Sequence, residues 1–276
     1  MRRKILLPTD FSDNSWNALV YALKLFKDEY CTFYFLHATT IKVPTLSNLS
    51  NKLLSAMKEE SNKELLAFKA FAESSDANAN HDFHITSSTQ DLLSAIWTAI
   101  EEKDIDLVIM GTKGATGAKE FFIGSNSMDV VKKIKKCPVL IVPEEYDFVA
   151  PKQIAFPTDY NRKYDLKEIN PLRQLADLFD SKIRILHINV EDELSDVQDT
   201  NLTNLLNHLQ DYESSLHWMP NYDKKSQEIN DFIDEMKIDI LAMVNHDHNI
   251  IEKMIKEPVI EKIGFHPKIP FLVIPE

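Results

Sequence analysis

Apolar and polar positions along the first half of the chain switch repeatedly between two periods. Ile5 to Pro8 is a short continuous apolar run and reads as a strand. Ser12 then precedes Trp16, Leu19, Val20, Leu23 and Phe26, a 3.6-residue stripe that predicts a helix capped by the serine. Thr32 to Ala38, rich in aromatics, predicts the second strand. A long helix follows from about Leu49 to Phe71, with Leu54, Met57, Leu65 and Phe68 on one face. Asp82 to Thr86 is a weaker strand, and Leu92, Leu93, Ile96 and Ile100 stripe another helix. Ile105 to Met110 predicts strand four. Met128, Val131 and Ile134 predict a last helix, whose C-terminal end suits Lys132, Lys133, Lys135 and Lys136. Val139 to Val142 closes the series.

Apolar strands alternating with amphipathic helices imply an α/β fold, a parallel sheet covered on both faces. In such sheets ligands lie beyond the strand C-terminal ends, where the strand order reverses. Those ends carry Pro8-Thr9-Asp10, His37-Ala38 and the residues after Met110. If strands one and four flank the reversal, Asp10 and Gly111 meet across a hundred residues of chain.

The pattern then occurs a second time. Ile-Leu-Leu-Pro-Thr-Asp10 is echoed by Ile-Ala-Phe-Pro-Thr-Asp159, and Phe35-Leu-His-Ala38 by Ile185-Leu-His-Ile188. Ile105-Asp-Leu-Val-Ile-Met110 returns as Ile238-Asp-Ile-Leu-Ala-Met243, and Pro138-Val-Leu-Ile-Val-Pro-Glu144 as Pro270-Phe-Leu-Val-Ile-Pro-Glu276. Four matches in one order indicate a tandem duplication with a seam near Glu145 to Pro151. The expected domains are residues 1–146 and 151–276, each of ordinary domain size.

Composition narrows the function. A net charge of −12 argues against a general nucleic-acid or anionic-membrane binder, which needs a basic face. It leaves room for a small anion held by main-chain donors. Two cysteines, Cys31 and Cys137, fit a reducing compartment. The N-terminus lacks an apolar core of signal length and no run approaches a membrane span, so the expected address is the cytoplasm.

The chain has five glycines, and four of them, Gly111, Gly114, Gly117 and Gly124, fall within residues 111–124. Glycine is favoured where φ must be positive or where another group touches the main chain. Strand, glycine loop and helix start form the arrangement that aims backbone N–H groups at a phosphate. The spacing G-x2-G-x9-G-S is neither a Walker loop nor G-x-G-x-x-G.

That spacing resembles the ATP-binding branch of the universal stress protein family. The opening Ile-Leu-Leu-Pro-Thr-Asp, the Leu-His-Ala end of strand two, Leu-Val-Ile-Met-Gly and the closing Cys-Pro-Val-Leu-Ile-Val-Pro extend the likeness. It covers the first copy throughout and the strand signatures of the second. The resemblance implies two tandem doubly wound, parallel five-stranded sheets, Rossmann-like and similar to adenine nucleotide alpha-hydrolases. Family members commonly pair through their last strand, so an intramolecular pseudo-dimer through Val139–Val142 and Phe271–Ile274 is expected, hiding two sheet edges. A homodimer of the tandem chain is also open.

The resemblance further implies a site for ATP or another adenine nucleotide, with magnesium as a possible companion. Asp10, following Pro8 and Thr9, matches the aspartate that accepts from the ribose, and Ala38 the position whose main chain meets adenine. Gly111, Gly114, Gly124, Ser125 and Ser127 match the surroundings of the phosphates, and Met110 and Asn126 complete the expected nucleotide-binding set. The chemistry is consistent: a carboxylate suits ribose hydroxyls, and Ser125 at a helix start adds a hydroxyl to the helix dipole. Asp10 could instead cap the following helix, or do both. Lys113 and Lys119 either reach phosphates or sit on a solvated loop. His37 and His187 read as structural, Cys137 as a buried small residue, and His246-Asp-His248 as a weak metal signal without a third ligand.

Aligned on Met110 and Met243, the second copy has Val244, Asp247 and Glu257 where the first has Gly111, Gly114 and Gly124, and Pro258 in place of Ser125. These changes remove room, add negative charge and delete an N–H donor. One nucleotide per chain is the expectation, in the first copy, with a supporting second copy and an unknown protein partner reading the result. Phosphoryl chemistry needs a positioned base and a metal site. Near residues 111–127 only Glu120 and Asp129 are acidic, and both have solvent-face readings, so a non-enzymatic regulatory role leads. The alternatives are a slow ATPase or adenylate-handling enzyme, and a nucleotide-free interaction scaffold.

Overall fold

A computed structural model describes residues 2–39, 48–76, 78–112, 124–188, 193–219, 225–245 and 268–276. The chain divides into two compact units, Met1–Asp147 and Phe148–Glu276. In the first, the elements run β1 (Arg3–Pro8), α1 (Asp13–Leu25), β2 (Cys31–Ala38), α2 (Asn48–Ser75), β3 (His81–Ser88), α3 (Leu92–Lys103), β4 (Leu107–Gly111), α4 (Ser125–Lys133) and β5 (Val139–Val142). The strands lie in the order β3-β2-β1-β4-β5, every pairing parallel. The chain moves outward from β1 to β3 and returns to β4 on the other side of β1. The order therefore reverses between β1 and β4, the place where a doubly wound sheet opens a crevice.

The core strands are apolar on both faces: Ile5, Leu6 and Leu7 of β1 and Val139 to Val142 of β5 are all buried. This is the run-like pattern of a sheet covered by helices on both sides. β3 is longer than its polar sequence predicts, because all eight of its residues pair with β2 from Cys31↔His81 to Ala38↔Ser88. β4 begins at Leu107 rather than Ile105. Asp104 ends α3 in the left-handed conformation, and the Asp106 carboxylate accepts the Lys4 amide at 2.8 Å before the ladder starts.

The inner face of α1 is rotated from the predicted stripe. Ser15, Ala18, Ala22 and Leu25 are buried with Leu19, Leu23 and Phe26, whereas Trp16 and Val20 are only half-buried. Small residues let the helix lie close to the sheet, and Trp16 moves to the flank. There it packs edge-on against Phe68 and Phe71 of α2, at 5.0 and 4.4 Å between ring centres. α2 buries Ser61, Leu65, Phe68 and Ala72, while Met57 is half-buried.

The second unit contains β6 (Gln153–Thr158), α5 (Leu166–Asp177), β7 (Lys182–Ile188), α6 (Asp196–His208), β8 (Ser214–Met219), α7 (Lys225–Met236), β9 (Ile240–Asn245) and β10 (Phe271–Pro275). Its strands follow β10-β9-β6-β7-β8, again all parallel. Each unit is thus an α/β doubly wound five-stranded sheet. Among the described residues no helix is long and apolar enough to cross a membrane.

Candidate functional site

The C-terminal ends of β1, β2 and β4 converge on a cavity of about 360 Å³ in the first unit, a volume within the range of small-molecule sites. Its wall brings together eight of the residues that the sequence assigns to a nucleotide site: Pro8 at the end of β1 with Thr9 and Asp10 after it, Ala38 at the end of β2, Met110 and Gly111 of β4, and Asn126 and Ser127 of α4. Gly124 and Ser125 precede them along the chain without lining this wall. Gly114 lies outside the described residues, as do Lys113, Gly117, Lys119 and Glu120.

The turn after β1 is built by short-range hydrogen bonds. Thr9 Oγ1 accepts from the Phe11 amide at 3.0 Å and pairs with Ser15 Oγ at 2.9 Å. The Asp10 carboxylate accepts from the Ser12 amide at 3.2 Å and from the Ser12 hydroxyl at 2.6 Å. Ser12 is the N-cap of α1 and its hydroxyl oxygen accepts the Ser15 amide at 3.3 Å. Asp10 therefore acts on the helix through Ser12 rather than as the cap itself, and its side chain is exposed at the cavity.

His37 supports this turn from below. Its Nδ1 lies 2.8 Å from the Thr9 carbonyl, an acceptor only, so Nδ1 carries the proton. The ring lies against Phe11, which adopts a positive φ of 63°. The second unit repeats the device. His187 Nδ1 meets the Thr158 carbonyl at 3.0 Å, and Tyr160, with φ 55°, stacks on the imidazole at 4.5 Å. A histidine used identically in both copies is a fold element, as its sequence position suggests.

Neither Gly111 nor Gly124 uses a positive φ. Gly111 answers to close approach: a Cβ there would stand 2.7 Å from Cγ and Oδ1 of Asn14. Gly124 is the N-cap of α4 and, lacking a side chain, makes no capping hydrogen bond. α1 and α3, by contrast, are capped by Ser12 and Asp91. The first N–H groups of α4 are thus left to other acceptors, and Asn126 and Ser127 of that turn face the cavity. The buried Ser127 hydroxyl donates to the Gly111 carbonyl at 2.8 Å. Its single proton is spent within the protein, leaving only lone pairs for a ligand.

Part of the wall was not legible from the sequence. Asp91, Leu92 and Leu93 at the start of α3 line the cavity, as do Ser15, Asp129 and Val130. Leu92 and Leu93 read as core stripe, yet both are half-buried and give the wall an apolar stretch beside Ala38. The signal available was the N-cap aspartate directly after strand three. Asp91 accepts from the Ser94 hydroxyl at 2.7 Å and the Ser94 amide at 3.1 Å, and these bonds hold its carboxyl below the usual range. Asp129 is more than half exposed and pairs with Lys133 at 3.4 Å, as a solvent-face residue does. Among the described residues this wall has three carboxylates, Asp10, Asp91 and Asp129, and no lysine or arginine.

The equivalent place in the second unit is built differently. Val244 is buried where Gly111 stands in the first. From Asp159 the chain runs six residues to the N-cap Asp165, against two from Asp10 to Ser12. Within this longer segment Tyr160 and Tyr164 pack inward. Tyr164 is buried with its hydroxyl 2.9 Å from Thr158 Oγ1, in the role that Ser15 has beside Thr9. Arg162 covers that ring and donates to Glu168 at 2.5 Å. Asp247, Glu257 and Pro258 lie outside the described residues, as do His246 and His248.

Residues 1–143 match the model of the universal stress protein family. The chain is 29% identical over 148 residues to universal stress protein YxiE of Bacillus subtilis, covering 51% of this chain and 99% of that protein. A universal stress protein of Methanocaldococcus jannaschii is 29% identical over 143 residues, 51% of this chain and 81% of the relative. Among solved structures, a universal stress protein from Archaeoglobus fulgidus has a TM-score of 0.69 at 18% identity, covering 99% of this chain and 96% of that one. The last is a likeness of fold. With a doubly wound sheet, a crevice at its switch point and a family match over residues 1–143, the chain belongs to the universal stress protein family.

Proposed function

We propose that the first unit binds an adenine nucleotide, ATP foremost, as a regulatory ligand in the stress response, and that it is not an enzyme acting on that ligand. The observation that carries this reading is the cavity at the switch point, onto which an α4 N-terminus without a side-chain cap opens. Anionic phosphate oxygens complement such N–H groups and the positive end of the helix dipole. The apolar stretch formed by Ala38, Leu92 and Leu93 suits a base, and the exposed Asp10 carboxylate suits ribose hydroxyls. Magnesium would accompany the phosphates, since the described wall supplies carboxylates and no cationic side chain.

In this reading residues 1–146 form the binding domain and residues 151–276 a supporting one. The buried Val244 and the inward-packed Tyr164 support a single site per chain. Isothermal titration of the full chain with ATP and magnesium is expected to give one site, and mass spectrometry of a denatured extract is expected to find intact adenine nucleotide. Two equivalent sites would overturn the division of labour. No heat, no co-purified nucleotide and no thermal shift would overturn the binding reading itself, and rapid release of ADP would overturn the non-enzymatic one.

A further inference from the structure

Gly111 is enclosed by the protein on the side where a side chain would project. Asn14, the second residue of α1, is buried, and its Cγ, Oδ1 and Nδ2 atoms stand 2.7, 2.7 and 2.9 Å from the place of a Gly111 Cβ. Contacts that short do not occur with real Cβ atoms, so a side chain at position 111 would force the buried Asn14 amide to move, with no ligand involved. The other polar groups of this segment are tied as well. The Gly111 carbonyl accepts from Ser127 Oγ, and the Thr112 amide donates to the Val142 carbonyl at 3.1 Å.

The second copy provides an internal comparison. Where Val244 replaces glycine, the residue four positions after the aspartate is Lys163 instead of asparagine. Lys163 is exposed and precedes α5, which starts at Leu166. The second copy therefore has neither the glycine nor an asparagine at this offset, and Lys163, outside the helix, does not take the place of Asn14.

We infer that Asn14 is a positioning residue of the site: its amide fills the space beside Gly111 and fixes where the end of β4 meets the cavity. This rests on the reading that the cavity takes an adenine nucleotide. Asn14 is absent from the cavity wall, so it acts through Gly111 rather than by touching the ligand.

The test is a double-mutant cycle on the full chain with wild type, Asn14→Ala, Gly111→Ala and the double variant, each titrated with ATP and magnesium and melted without ligand. Alanine at position 14 removes all three atoms that an added Cβ would strike. Gly111→Ala is expected to weaken binding by tenfold or more, in the range of coupled neighbouring sites. Asn14→Ala is expected to weaken it about fivefold with a nearly unchanged melting temperature, a split that a merely structural residue would not produce. Adding Asn14→Ala to Gly111→Ala is expected to restore affinity to that of Asn14→Ala. If Gly111→Ala alone does not fold, the double variant is expected to fold and bind.

A double variant as weak as Gly111→Ala, or one that also fails to fold, overturns the inference, because the bare face of Gly111 then serves something other than Asn14. Wild-type affinity in Asn14→Ala overturns it too. If the wild type binds no nucleotide, the functional reading fails separately. The four melting temperatures then still decide whether the two positions are coupled.

Discussion

The buried hydroxyl of Ser127 in the first turn of α4 donates to the carbonyl of Gly111 at the end of β4, at 2.8 Å. This bond ties the end of β4 to the first turn of α4. Ser127→Ala leaves the carbonyl without that donor and is expected to cost about 1 kcal/mol in urea unfolding. Nucleotide affinity should fall alongside. A loss of affinity with unchanged stability would mean that the hydroxyl serves the ligand directly.

Asp129 puts a carboxylate on the cavity wall that is only partly offset by Lys133. Asp129→Asn removes the charge while keeping the shape, so affinity for ATP without magnesium should rise two- to threefold, in line with exposed charge pairs worth up to about 1 kcal/mol. The gain should shrink in 0.5 M salt, where exposed charges are screened. Calorimetric titration at two salt concentrations measures both.

Cys31 and Cys137 are both free and buried, and burial pushes each thiol up to about 12. A thiol that stays protonated and inaccessible is a poor nucleophile. Neither cysteine should react with a disulfide reagent at pH 8 in the native protein, and both should react in denaturant. Fast native labelling of either would contradict the burial of Cys31 at the start of β2 and of Cys137 just before β5.

His217 on β8 is held below its ordinary value of about 6.5, first by burial and then by the Arg184 guanidinium. The unfolded chain takes up this proton more readily than the folded one, so stability falls as pH drops below about 6.5. Full contribution is present above that value. Thermal melts of the full chain from pH 7.5 to 5.5 should show a steeper decline for wild type than for His217→Gln. The group is only half-buried, so the difference is expected to be small, and parallel curves would remove His217 as its source.

Much of the first unit could be read from residue order. Strand and helix alternation, the echo of Pro-Thr-Asp and Leu-His in the second half, and the convergence of Asp10, Ala38 and Gly111 all rest on local pattern plus one rule about switch points. Local pattern misjudged Trp16 and Val20, because a stripe of large residues does not reveal that Ser15, Ala18 and Ala22 make the closest approach to the sheet. It also missed Leu92 and Leu93, whose apolar character is the same on a core face as on a cavity wall.

What the sequence determined by itself is therefore the α/β class, the recurrence of strand signatures in its second half and the contrast between Gly111 and Val244, since each is a property of order and residue type. The tertiary structure decided what the residues answer to. Gly111 is bare because Asn14, nearly a hundred positions away, occupies the space of its side chain, and Ser127 gives its proton to the chain rather than to solvent. Such relations depend on which atoms share a volume of a few cubic ångströms. No periodicity records that, because it is settled only when the helix is seated on the sheet.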